Sequence, residues 1–277
     1  MVKGLYTAYT GMLDEQRRLE VIANNLANVN TTGYKNEGLA PQSFDEELAI
    51  KIKDTSEFGH MPKTIGSIVY GVKLGETYTD WSQGAIQVTD KSSDLALMGS
   101  GFFAIEFTNK AGNTSVKYTR DGAFTVDADG YLRTVDGDYL LNMQGALNTQ
   151  YGDGNRVRID PNMTYAISRD GNITQDGQIV GQVGFVDVGL PDNAPEGVDA
   201  YDYINKYGEN LVEFIDGSKI IPAEAAIQQG CLEASNVNVV DQMTDMITIQ
   251  RAYEAGQKVI HAEDEAMDKS VNDVGRV

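Results

Sequence analysis

The chain has 277 residues, 41 % of them hydrophobic, which is enough for one large domain or two small ones. Its formal net charge of −19 at pH 7 disfavours nucleic acid and anionic lipid surfaces as partners. The single cysteine, Cys231, excludes an intramolecular disulfide and a multi-cysteine metal site, and no apolar run approaches the roughly 20 residues that span a bilayer, so membrane insertion is not expected.

From Val2 to about Asn30 the text is almost free of helix breakers. Leu5, Met12, Leu19 and Leu26 recur every seven residues, and Ala8, Ile22 and Val29 each sit three residues after one of them. This pattern predicts a helix with one apolar seam and a charged opposite face. Asn24, Asn25 and Asn28 lie near one face, where they can serve contacts between subunits or simply cap and fray the helix. Asn28, Asn30, Thr31, Thr32 and Gly33 then end it. Asp14, Glu15, Gln16, Arg17 and Arg18 interrupt the apolar residues, so this segment does not read as a secretory signal.

Residues 34–80 read as a connector punctuated by Pro41, Gly59, Pro62 and Gly66, with a short helix fitting Ser43–Ile50. From about Ile65 to Ile221 short β-branched and aromatic runs alternate with turns. Asp-Gly recurs at 121–122, 129–130, 136–137, 153–154, 170–171, 176–177 and 216–217. Such pairs between alternating runs predict hairpins, hence an antiparallel β domain. Asp127-Ala128-Asp129-Gly130 superficially resembles a calcium loop but has the wrong residues at its first and last positions, so it reads as a turn.

The C-terminal end repeats the helical pattern. Val239, Met246, Tyr253, Ile260, Met267 and Val274 fall seven apart, and Met243, Ile247, Ile249 and Val271 widen the stripe. Asn238 is the expected N-cap, placing Asp241 in the first turn where a carboxylate meets the helix dipole. The helix is expected from about Val239 to Asp273. The expected class is therefore α+β: two long terminal helices forming a coiled-coil-like layer, and an antiparallel β-rich centre. The expected divisions are 1–33 with 231–277, the connector 34–80, and the β domain 81–230.

Nothing in this text reads as an enzyme. The carboxylates are many, but no pair stands in a recognisable catalytic context, and His60 and His261 have no local catalytic motif. No catalytic residue, cofactor or metal ligand is assigned. The amphipathic ends either pack on the chain's own β domain or seek other copies. The first alternative fits a monomeric secreted module, for example one that binds cell-wall glycan.

The run Ile22-Ala23-Asn24-Asn25-Leu26-Ala27-Asn28-Val29-Asn30-Thr31-Thr32-Gly33-Tyr34-Lys35 resembles the N-terminal signature of bacterial flagellar rod and hook proteins. The far end is similar in step, through Gly230-Cys231-Leu232-Glu233-Ala234-Ser235-Asn236-Val237-Asn238, then Arg251-Ala252-Tyr253-Glu254 and Gly275-Arg276-Val277. Leu95-Ala96-Leu97-Met98-Gly99-Ser100-Gly101-Phe102-Phe103 and Tyr118-Thr119-Arg120-Asp121-Gly122-Ala123-Phe124 resemble the family's β domain. The stretch 188–215 departs from its usual pattern with an acidic insertion around Pro191 to Asp202. The length favours a rod protein over a hook protein, and the distal rod over the proximal.

The resemblance implies a subunit exported unfolded by the flagellar type III apparatus without signal cleavage, which stacks with itself and with other rod and hook proteins as a hollow helical tube. The terminal helices would form the inner layer around the channel and the β domain the outer layer, and the tube would carry torque from motor to hook. The assembly interface it implies is Leu5, Met12, Leu19, Ile22, Asn24, Asn25, Leu26 and Asn28 on the first helix. On the last it is Met243, Met246, Ile249, Tyr253, Ile260 and Met267.

Overall fold

The first amphipathic run folds as helix α1, Val2–Ala27, in the computed structural model. The structure describes residues 2–51, 63–191, 194–195, 197–208, 210–215 and 217–274. His60, Pro62 and the Gly275-Arg276-Val277 end lie outside the described residues. A short helix α2, Met143–Asn148, is capped by Asn142, whose side chain accepts from the Gly145 N–H at 2.8 Å. The last long run folds as α3, Val239–Lys269, and continues as a π-helical turn over Ser270–Val274. Asn238 is its N-cap: its Oδ1 accepts from the Val240 N–H at 3.0 Å, and its amide donates to Asp241 at 2.7 Å. Among the described residues no helix is long and apolar enough to cross a membrane.

The chain divides into two compact units. One joins Met1–Leu26, Glu37–Asp80 and Asn238–Val277. The other joins Ala27–Asn36 to Trp81–Val237.

In the first unit, residues 37–79 form strand pairs in a nested series. Glu37–Leu39 pairs with Thr77–Thr79, Gln42–Ser43 with Val72–Lys73, and Glu47–Lys51 with Lys63–Ile68, all antiparallel. The short helix expected over Ser43–Ile50 is therefore replaced by strand. Glu46-Glu47-Leu48-Ala49 has helical propensity, but Lys63–Ile68 offers a backbone ladder, and tertiary pairing overrides local preference.

The second unit is the β-rich centre. Its main sheet runs in the order Phe124–Val126, Leu132–Thr134, Tyr139–Leu140, Phe102–Thr108, Thr114–Thr119, Leu211–Phe214, Ile204–Tyr207. Phe185–Gly189 also pairs with the start of Phe102–Thr108, and carries Lys219–Pro222 at its other side. The central strand Phe102–Thr108 is buried on both faces. Phe103 and Ile105 join a core with Leu95, Leu97, Phe124 and Leu132. Phe102 and Ala104 join a second with Val116, Tyr118, Val186 and Val212. Alternate residues of one strand thus feed two cores, which is why this run reads as continuously apolar rather than alternating.

Four of the Asp-Gly pairs turn hairpins as expected: 129–130, 136–137, 170–171 and 176–177 each join antiparallel neighbours. The 121–122 pair does something else. Gly122 lies against the Leu95 carbonyl so closely that a Cβ has no room, and its own carbonyl accepts from the Leu95 N–H at 3.0 Å. The Asp127–Gly130 loop is a turn closed by the Gly130 N–H donating to the Asp127 carbonyl at 2.9 Å. The end of the departing 188–215 stretch folds as an edge hairpin, Ile204–Tyr207 with Leu211–Phe214. It extends the sheet by pairing with Thr114–Thr119, and Phe214 stacks on Tyr118 with centroids 4.0 Å apart.

Truncating Phe103 to Ala removes a fully buried ring at the centre of the first core. The expected loss is about 3–5 kcal/mol in urea unfolding, against less than about 0.5 kcal/mol for Val135→Ala at an exposed turn. Equal losses at the two positions would contradict this placement of the core.

Candidate functional site

Within the first unit α1 and α3 meet at three points. Gly4 lies against the Glu263 carboxylate. A Cβ on Gly256 would come within 2.7 Å of Met12 Cγ. Asn25 Nδ2 donates to Gln242 Oε1 at 3.3 Å. As the first helix advances from 4 to 12 to 25, the contact on the last retreats from 263 to 256 to 242. The two helices are antiparallel.

Burial along α3 follows a 3-4 spacing: Val239, Gln242, Met246, Ile249, Tyr253, Gly256, Ile260, Glu263 and Met267 are the less exposed positions. Ile249 is 2 % exposed. One row of this seam is the expected one. The other is filled by Gln242, Gly256 and Glu263 beside Ile249, residues that no hydrophobic pattern picks out. Met243, Ile247 and Val271, expected to widen the seam, are exposed. On α1, Leu5, Met12, Leu19 and Leu26 are half-buried and Ile22 is buried, while Asn24 is exposed. The expected seam residues of α1 and Met246, Ile249, Tyr253, Ile260 and Met267 of α3 are thus turned inward, and Met243 is turned out.

A second face of α1 rests on residues 70–71, between the strands Lys63–Ile68 and Val72–Lys73. Lys3 Nζ donates to the Tyr70 hydroxyl at 2.6 Å and Thr7 Oγ1 to the Tyr70 carbonyl at 3.2 Å. Thr10 packs against Gly71. Asn25, wholly buried, exchanges two hydrogen bonds with the Glu37 backbone: its amide donates to the carbonyl at 2.8 Å and its carbonyl accepts from the N–H at 3.1 Å. A primary amide supplies one donor and one acceptor on the same side, so it can mimic a strand partner at the start of Glu37–Leu39. Asp14 is buried on this helix, and one of its oxygens has no hydrogen-bond partner. Burial pushes its pKa up, and Arg18 only partly offsets this.

The second unit holds a buried charge cluster. Glu233 is 1 % exposed in its side chain, and its Oε1 accepts from Lys35 Nζ at 2.5 Å and from the Gly84 N–H at 2.9 Å. Its Oε2 accepts from Arg120 Nη1 at 3.2 Å. Lys35 Nζ also donates to the Ser82 carbonyl at 2.7 Å, and Lys206 Nζ to the Lys35 carbonyl at 3.0 Å. Around this cluster the chain is zipped residue by residue. The Gly33 N–H donates to the Glu233 carbonyl at 2.8 Å, the Asn36 N–H to Asn236 Oδ1 at 2.7 Å, and Thr32 Oγ1 to Asp121 at 2.6 Å. Gly33 has φ of +69°, and a Cβ there would stand 2.5 Å from the Asp121 nitrogen. Only glycine satisfies both conditions. Cys231 is buried beside this cluster in the strand Cys231–Glu233, as a small core residue.

Lys35, Arg120 and Glu233 were each quoted from a different sequence motif, but no spacing rule links them. Only the fold brings 35, 120 and 233 to one point. None of these groups forms a nucleophile with a base or a set of metal ligands. The arrangement holds chain segments together and presents helix faces.

Three family models match the chain: "Flagella basal body rod protein" over residues 5–35, "Flagellar hook protein FlgE/F/G D1 domain" over 96–181, and "Flagellar basal body rod FlgEFG protein C-terminal" over 228–273. Relatives match end to end. The flagellar basal-body rod protein FlgG of Bacillus subtilis is 33 % identical over 280 residues, covering 98 % of this chain and 99 % of its own. The flagellar hook-basal body complex protein FlhO of the same organism is 30 % identical and covers 100 % of both. The flagellar basal-body rod protein FlgF of Caulobacter vibrioides is also 30 % identical, with 100 % of both covered.

Replacing Glu233 by Gln leaves Lys35 and Arg120 buried without their anion, and should cost about 3–5 kcal/mol in chemical unfolding. A cost below about 1 kcal/mol would show that the pairs are not sequestered from water. Asp14 supplies a pH test. Its folded pKa is raised above the unfolded one, so its favourable contribution is complete below the unfolded value and is lost as pH rises through the folded value. Asp14→Asn should therefore raise the unfolding midpoint at pH 7, and its advantage should shrink as pH falls through the carboxylate range.

Proposed function

This chain belongs to the flagellar basal-body rod protein family, and from that premise we propose that it polymerises through its terminal helices into a hollow helical tube. Membership makes it a structural component of the flagellar basal body, working beside other axial proteins, and not an enzyme. The proposal concerns how it does so. The helices α1 and α3 form a coiled-coil-like inner layer around the export channel, and the β unit forms the outer layer. The subunit is passed outward unfolded by the flagellar type III apparatus without signal cleavage, takes its place in the distal rather than the proximal rod, and carries torque toward the hook.

The observation that carries this reading is the one-sided burial of the terminal helices. The seam of α3 is turned inward, but Val240, Met243, Ile247, Val259 and Val271 on its other faces are exposed, as are Tyr6, Tyr9 and Leu13 on α1. Exposed rows of this kind on helices that are individually marginal call for further protein surface. A tube supplies it from neighbouring copies, and a subunit that must first travel unfolded gains from helices whose full burial waits for assembly.

A charge in the seam tests the proposal. Leu19→Asp or Ile260→Asp should abolish tube formation under electron microscopy and leave motile cells non-motile, while the β unit keeps its cooperative unfolding. Tubes of normal length from either variant would refute the role given to the helices.

A further inference from the structure

The exposed row at the start of α3 has a defined chemistry. Val240, Met243 and Ile247 are 70 %, 49 % and 52 % exposed and share one helix face. Arg251 follows one turn beyond Ile247 on that face. It is exposed, and no ion pair is recorded for it among the described residues. The row is thus an apolar ridge ending in a guanidinium.

At the other end of the same unit is a groove of about 560 Å³. Tyr6 and Phe44, with centroids 6.3 Å apart, and Tyr70 form its aromatic lining. Asp45 and Glu47 stand exposed at its rim, and Lys3 is held on Tyr70. Lys3 also feels the Glu47 charge, whereas no ion pair is recorded for Asp45 among the described residues. The groove is therefore apolar within and acidic at its edge.

The ridge and the groove of one chain cannot meet. Gly4 lies beside Glu263, and Glu263 stands twenty residues along α3 from Met243, about 30 Å at 1.5 Å per residue. Resting on the reading of the chain as a self-associating rod subunit, we infer that the Val240–Met243–Ile247 ridge of one copy docks into the Tyr6–Phe44–Tyr70 groove of the next, with Arg251 facing Asp45. Met243 is suited to the aromatic lining, because a thioether adapts to irregular space and makes favourable contacts with ring edges. The charges are opposite at the rim, which fixes the register of the ridge in the groove. Ridge and groove are different surfaces, so the contact is heterologous. Repeated from copy to copy it does not close into a dimer but propagates, as a helical rod requires.

Cysteine cross-linking of the full chain tests this directly. Copies carrying Met243→Cys are mixed with copies carrying Glu47→Cys at the rim of the groove, both exposed positions, and oxidised mildly. The native Cys231 is buried and stays silent. The expected result is a covalent dimer from the mixture and not from either variant alone, and a ladder of oligomers from a chain carrying both changes. Arg251→Asp and Asp45→Lys should each raise the concentration needed for polymer, and the two copies mixed or combined should lower it again. Polymer that forms without the mixed cross-link would overturn this docking and leave the self-assembly reading standing. Met243→Cys linking to itself would also overturn it, by showing a two-fold contact. Absence of any polymer from the unaltered chain would overturn both.

Discussion

Glu233 is the point on which the rest of the β unit's design turns. A single buried carboxylate is shared by Lys35, from the segment that follows α1, and Arg120, from the end of the strand Thr114–Thr119. Desolvating three charges is costly, and further hydrogen bonds offset part of the cost: Glu233 takes the Gly84 N–H as well, and Lys35 takes the Ser82 carbonyl, while Arg120 Nε stays buried without a partner. The result is specificity of place. The segment 32–36, the start of 81–84 and residues 233–236 are fixed against one another by the Gly33 N–H donating to the Glu233 carbonyl and by the Asn236 side chain, which accepts from the Asn36 N–H and donates to the Ser82 carbonyl. Within the β unit, residues 32–36 and 233–236 are therefore held side by side.

The helical pair itself is built for moderate strength. Its seam mixes Leu, Ile and Met with Gln242, Gly256 and Glu263, and it leaves an oxygen of Glu263 buried without a partner. A seam of leucines alone would bury more apolar surface. A polar pair between two helices costs stability and specifies alignment, and Asn25 with Gln242 is such a pair. Gly4 and Gly256 do similar work by size, since each admits a particular side chain from the partner helix.

Much of this was legible in the chain's text, and the failures have physical causes. The heptads of leucine and methionine placed both helices within a few residues, and Asn238 marked the start of α3, because capping and periodicity are local. The hairpin turns at 129–130, 136–137, 170–171 and 176–177 were legible for the same reason. Which residues fill the second row of the α3 seam was not legible, because Gln242, Gly256 and Glu263 are there to fit a partner and carry no hydrophobic signal. Met243 and Ile247, read as widening the stripe, are exposed and lie off the buried row, because hydrophobicity alone does not say which face of a helix is covered. The strand at Glu47–Lys51 was missed because its pairing partner lies far along the sequence. The Lys35–Glu233–Arg120 cluster was present only as fragments of three motifs, and its geometry belongs to the fold.

The account makes the terminal helices the elements whose burial is completed by other copies, and the β unit the element complete in itself. Amide hydrogen exchange on the verified monomer and on the assembled polymer measures this. The account predicts that amides of residues 5–26 and 240–269 exchange much faster in the monomer than those of Phe102–Thr119, and slow by orders of magnitude on assembly, while the sheet amides stay as they were. Helix amides already as slow as the sheet's in the monomer, with no change on assembly, would contradict it.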